Sequence, residues 1–254
     1  MINKLRIALL AAMTGLALAS APAQAVLVKV EIDDFNVGAQ CIGTYSNSAQ
    51  LSSVQSTFCP GATQTGSTAS SALTGLNTAD VIGGSRTLSY TLLAHDSLTQ
   101  SSTRVDPVAA AGGQLIINNG VGEQTDSRVS WTLPANLLPT TGTITDFAFH
   151  IALLSKDANA LSAELLFNGA SLGVFNLGSA AVTSLVDLYF STPFTTINTG
   201  GVLQLKLVGG AGWDANIDDF GFQYQYTPPT VNVPVPATLA LFGIGVAALY
   251  RRRR

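Results

Sequence analysis

Charged side chains and histidines are scarce in this chain. Asp, Glu, Lys and Arg make up 11% of its 254 residues, and His95 and His150 are its only histidines. Neither lies in an HExxH or comparable ligand spacing, which excludes the common zinc-hydrolase patterns. No serine is expected in a nucleophile elbow. The glycines Gly209, Gly210 and Gly212 lie between strand-like runs and do not open a helix, which excludes a phosphate loop. An enzyme is therefore not expected. Cations are scarcer still: between residues 26 and 230 only Lys29, Arg86, Arg104, Arg128, Lys156 and Lys206 face all fifteen acids of the chain, a net charge of −9. Such a body does not suit nucleic acid as a partner.

What the chain does have is two exceptional ends. Lys4 and Arg6 precede an apolar stretch from Ile7 to Ala19, and Ala23-Gln24-Ala25 follows with small residues at the cleavage positions. This pattern predicts a secretory signal peptide over residues 1–25. At the other end the run from Thr238 to Tyr250 is uncharged but only about 13 residues long, short of the ~20 of a relaxed membrane helix. Pro234 and Pro236 limit its backward extension. Arg251, Arg252, Arg253 and Arg254 hold the C-terminus on the cytoplasmic side, leaving the body across the membrane. An uncleaved C-terminal anchor is one reading of this tail.

Val233, Pro234, Val235 and Pro236, the apolar run to Tyr250 and the four terminal arginines together resemble the PEP-CTERM sorting signal, with Val235 in place of the usual glutamate. The resemblance covers the last 22 residues. It implies an exosortase-type transpeptidase as partner and export across the inner membrane of a Gram-negative, exopolysaccharide-making bacterium. The tail would contact that membrane transiently and then be removed, leaving a surface or extracellular protein. In an oxidising compartment Cys41 and Cys59 predict one disulfide, a bridge contributing about 3 kcal/mol through the unfolded chain.

Between the ends, one domain is expected over residues 26–227, with a linker at 228–232 and the sorting signal at 233–254. Val28, Val30 and Ile32 alternate with Lys29, Glu31 and Asp33 in a first strand at 26–35. Residues 43–80, rich in Ser, Thr, Gly, Asn and Gln, read as a long loop with at most one short strand. Further strands are predicted at 86–94, 114–118, 128–133, 144–154 (a short helix being the alternative), 182–190, 202–208 and 217–226. Two apolar runs flank Asn168-Gly169 as a type I′ hairpin. Nine or ten strands without a long helix predict an all-β, antiparallel, jelly-roll-like sandwich.

The tetrapeptide IDDF occurs twice, at 32–35 and 217–220. If the first and last strands pair, Asp33, Asp34, Asp218 and Asp219 gather at one sheet edge and could hold Ca²⁺, with Glu31 and Asp214 nearby. Alternatively they cap strand ends and keep the edge soluble. GWDANIDDFGF is similar to the closing strand of jelly-roll carbohydrate-binding modules, some of which hold a structural calcium near such positions. Sugar binding would need an exposed aromatic ring, and Trp213, between Gly212 and Asp214, is the candidate, with folding back onto the core as its alternative; Trp131 suits a core position. The sequence thus predicts an exported, non-catalytic surface or matrix protein associated with extracellular polysaccharide, with a calcium-supported carbohydrate-binding module as the alternative.

Overall fold

A computed structural model of the chain describes residues 24–45, 68–94, 100–109, 112–191 and 195–229. The strands are β1 (Val26–Asp33), β2 (Gln40–Tyr45), β3 (Thr68–Thr74), β4 (Ser85–Ala94), β5 (Gln100–Asp106), β6 (Gln114–Asn119), β7 (Gln124–Leu133), β8 (Thr143–Lys156), β9 (Leu161–Phe167), β10 (Ala170–Gly178), β11 (Val186–Ser191), β12 (Gly201–Gly209) and β13 (Ala215–Thr227). They form two sheets. The first runs β11-β8-β13-β6-β5-β2, with β1 also on β13; the second runs β10-β9-β12-β7-β4-β3. This is the expected all-β sandwich, and the first and last strands are neighbours, which meets the condition set for the two IDDF segments to approach one another.

Burial alternates along the strands because successive side chains leave a pleated backbone on opposite faces. Leu161, Ala163, Leu165 and Phe167 of β9 and Leu203, Leu205 and Leu207 of β12 turn inward and are almost wholly buried. Facing them, Phe147, Phe149, Ile151 and Leu153 of β8 settle residues 143–156 as a strand and not a helix. Trp131 stacks on Phe220 with ring centroids 4.9 Å apart, and Phe149 lies parallel to Phe220 at 5.9 Å. Asn168 and Gly169 have φ of 50° and 81°, the left-handed pair that a type I′ turn requires between β9 and β10.

Two strands depart from the expected plan: β2 and β5 were not anticipated, whereas β3 is the one short strand allowed within the region read as loop. Neither β2 nor β5 carries a run of large apolar residues. In β5 the buried Ser101 and Thr103 precede Val105, and their hydroxyl chemistry is met across the sandwich: Thr103 Oγ1 donates to Ser127 Oγ of β7 at 3.1 Å, and Thr125 Oγ1 of β7 lies 3.0 Å from the same Ser127 Oγ. Conversely, the strand expected at 182–190 begins only at Val186, with Val182 making a single bridge to Lys156.

The compact body comprises residues 27–140 and 144–225. A second, smaller unit includes, among the described residues, 24–26, 141–143 and 226–229. Within it a Cβ at Gly142 would stand 2.6 Å from the Thr227 carbonyl oxygen, so the chain passes there only as glycine.

Candidate functional site

The first IDDF closes β1 and turns inward. Asp33 is fully buried, and Arg86 at the start of β4 reaches it with Nη1, donating to Oδ1 at 3.0 Å and to Oδ2 at 2.9 Å. Trp131 Nε1 donates to Oδ2 at 2.8 Å, and the Phe35 amide to Oδ1 at 2.9 Å. Arg86 is equally buried; Nε donates to Gln40 Oε1 at 2.7 Å, and Nη2 to the carbonyl oxygens of Val37 and Gly38. Burial pushes the Asp33 carboxyl above the ordinary carboxylate value, against the pull of the Arg86 charge and the hydrogen bonds from Trp131, Arg86 and Phe35.

Asp33 therefore cannot serve as a calcium ligand, because both its oxygens are committed to a guanidinium, an indole and an amide. Asp34 accepts from the backbone and side-chain nitrogens of Asn36 at 3.0 and 2.9 Å, a strand-end turn. Among the described residues no group of three or more His, Cys, Asp or Glu side chains is placed to hold a metal ion. Asp33, Asp34, Asp218 and Asp219 thus do not fit a shared calcium site.

The second IDDF lies inside β13. Ala215 and Ile217 are buried, then Phe220, Phe222 and Tyr224, so the inward phase changes from odd to even across Asp218-Asp219. One extra residue in the strand has this effect, and it leaves both carboxylates off the core face. Asp219 Oδ1 lies 2.5 Å from His150 Nε2 of β8. The imidazole can occupy that place because position 221 is glycine: a Cβ there would stand 2.8 Å from His150 Cε1 and 2.4 Å from the Val30 carbonyl oxygen. Across the β8–β11 register His150 faces Tyr189, ring centroids 6.0 Å apart, and Tyr189 is 46% exposed. Burial raises the Asp218 carboxyl above its ordinary value, reinforced by the charges of Asp219, Asp34 and Asp187. The outer face of this sheet therefore carries one exposed phenol, one histidine and a rim of carboxylates.

Further along the same sheet, a pocket of about 340 Å³ opens over β5, β6, β8 and the start of β13. Arg104, Ile116, Asn118, Asp157, Asp214 and Asn216 are among its lining residues. Burial raises the Asp214 carboxyl, opposed by the Asn119 amide on its Oδ1 and reinforced by Asp157. Lys156 is buried and donates to the carbonyl oxygens of Asp157 at 2.8 Å and Asn159 at 2.6 Å; burial lowers its amine below the usual lysine value, opposed by the Asp157 charge.

Trp213 is not the exposed platform that its loop context suggested. It is wholly buried, and its indole packs so closely on Gly209 that a Cβ there would stand 2.3 Å from Cγ. The absence of a side chain at 209 creates the slot, and an apolar ring fills it. Tyr189 is the exposed ring instead. Its signal was the alternation in Val186–Ser191, which sets Tyr189 opposite Leu188 and Phe190. Arg86 also had a signal: alternation places it on the face of Leu88 and Tyr90, where a cation needs a buried acid. Gly169-Ala170-Ser171-Leu172-Gly173 does have the spacing of a nucleophile elbow, contrary to expectation. It forms a hairpin turn and the start of β10, without the strand-to-helix turn of that motif, and the Ser171 hydroxyl bonds Glu164.

Cys41 lies on β2, opposite Arg104 of β5. Cys59 and His95 lie outside the described residues, as do residues 1–23 of the expected signal peptide and all of Val233, Pro234, Val235, Pro236 and Arg251–Arg254. For that tail the comparison with known families decides. Residues 232–254 match the PEP-CTERM protein-sorting motif. The PEP-CTERM motif marks an exported, surface-sorted protein. No curated protein matches the chain. Among solved structures it is similar to the CBM36-1 domain of a multidomain xylanase from the hindgut metagenome of Trinervitermes trinervoides, at 20% identity and TM-score 0.31, over 56% of this chain and 99% of that one. It is also similar to the family 11 carbohydrate-binding module of a Clostridium thermocellum cellulosomal cellulase, at 7% identity and TM-score 0.28, over 77% and 95% of the two chains. A third likeness is to TmCBM61 in complex with β-1,4-galactotriose, at 10% identity and TM-score 0.31, over 52% and 86%. The sandwich itself rests on the strand pairings described above.

Proposed function

We propose that this is a non-catalytic protein of the cell surface or extracellular matrix, released by an exosortase-type transpeptidase and associated with exopolysaccharide. The observation that carries the reading is the PEP-CTERM motif at 232–254. The host is a Gram-negative cell, the tail is cut at its inner membrane, and the β-sandwich is the delivered cargo. The acidic body supports an extracellular role without nucleic acid. Carbohydrate association is supported by Tyr189 beside His150, Asp219 and Asp187, since an exposed ring covers a sugar's C–H face while polar edges take its hydroxyls.

The deciding experiment is mass spectrometry of the C-terminus of the protein isolated from native envelope and medium. A terminus between Val233 and Ala237 is expected. An intact Arg254 in every fraction would overturn processing and leave a membrane-tethered sandwich.

A further inference from the structure

We infer that the pocket over β5, β6, β8 and β13 is a subsite for one neutral saccharide ring of the surface polysaccharide. The inference rests on the polysaccharide reading above and assigns it a place distinct from Tyr189. The pocket holds about 340 Å³, within the lower range of small-ligand clefts.

Register builds its floor. Ile116 of β6 faces Arg104 of β5 on one side and Asn216 of β13 on the other. Asn118 follows two residues later on the same face of β6, diagonal to Asn216 at about 7 Å. An apolar side chain thus lies between polar groups from three adjacent strands. Neither the Asn118 nor the Asn216 side-chain amide makes a hydrogen bond within the described residues. Each amide offers both a donor and an acceptor, as a sugar hydroxyl does. By contrast, the neighbouring Asp157 is already committed, accepting from the Asn159 backbone and side chain at 3.1 and 2.6 Å.

Charge selects the ligand class. Arg104 and Lys156 balance Asp157 and Asp214 around the pocket. An anion would meet two carboxylates and a cation two basic groups, so neither gains a net attraction. A neutral polyol meets donors and acceptors without that opposition. Among the described residues no aromatic side chain lines the pocket, so a single ring binds weakly and retention grows through many repeats of the same chain.

The test is affinity electrophoresis of the full chain through gels cast with exopolysaccharide extracted from the host. Asn216→Ala, Asn118→Ala and Ile116→Trp are run beside Tyr189→Ala, with Gln204→Ala on the opposite sheet as control, and the melting temperature of each is recorded. The inference expects retarded wild type, and an apparent dissociation constant raised about tenfold in Asn216→Ala or Asn118→Ala at unchanged melting temperature. Ile116→Trp, which fills the pocket, should act likewise, and Gln204→Ala should behave as wild type. Neutral monosaccharides from acid hydrolysis of the same polymer should relieve the retardation. Wild-type retention in all folded pocket variants, with loss in Tyr189→Ala, overturns the pocket while leaving the polysaccharide reading intact. No retardation of the wild type overturns both. Relief by the acidic sugars alone overturns the neutral class.

Discussion

At residues 32–35 Ile-Asp-Asp-Phe ends β1 and folds under the sheet, whereas at 217–220 the same four residues run through the middle of β13. In the first copy the leading carboxylate is sealed against Arg86 and Trp131. In the second, both carboxylates leave the core, one meeting His150 and the other held near Asp34 and Asp187. The apolar ends behave alike: Ile32, Phe35, Ile217 and Phe220 are all fully buried. Trp131 joins the two copies, its N–H on Asp33 and its ring on Phe220. Identical side chains therefore differ in fate through backbone setting. A strand end lets the chain bend an acid inward to a waiting cation, and an extra residue inside a strand sends both acids out.

The largest test of this contrast is Arg86→Met. It strands Asp33 without its counter-charge and should cost about 3–5 kcal/mol, read by urea denaturation. Asp219→Asn, which keeps a hydrogen-bonding partner for His150, should cost under about 1 kcal/mol. Equal costs would dissolve the distinction between the copies. Trp131→Phe sharpens the comparison by preserving the stack on Phe220 while removing one donor to Asp33. A loss of about 1–3 kcal/mol beyond the small change in ring volume is expected, and a loss near zero would mean that the indole N–H contributes nothing.

The smallest effect is electrostatic. The folded-state carboxyl of Asp218 titrates above its ordinary value, so its contribution to stability is fully present below the unfolded pKa and is lost as pH rises through the folded one. Asp218→Asn should therefore raise the unfolding free energy slightly near pH 7, by well under ~1 kcal/mol given solvent screening, with the gain fading towards pH 4 in urea denaturation. A gain that grew on acidification would reverse the sign and remove the crowding of Asp218 by Asp219, Asp34 and Asp187.

Legibility followed side-chain chemistry. Strands with large apolar residues at alternate positions, such as β7, β9, β12 and β13, were readable, as was the hairpin through Asn168-Gly169. β2 and β5 were not, and β3 was only an unplaced short strand, because Gly, Ser, Thr and Ala are ambiguous between loop and strand until they find partners across a sheet. The neighbouring of β1 and β13 could be suspected from the repeated tetrapeptide, but not which aspartate would be buried. For Trp213 the structure takes the core alternative, because a glycine at 209, four residues earlier, opens a slot that periodicity does not register. The pocket was invisible because Arg104, Asn118, Asp157 and Asn216 are far apart in sequence and meet only through register.

Among the described residues β13 is the last strand to leave the ribosome, yet it occupies the middle of its sheet, between β8 and β6. A prematurely terminated chain lacks this central stave, and it also lacks the sorting motif that begins five residues beyond Thr227. Completion of the fold and possession of the delivery label are thus conferred by the same stretch of synthesis. A chain truncated before β13 therefore loses the strand that bridges β8 and β6 together with the residues that match the sorting motif.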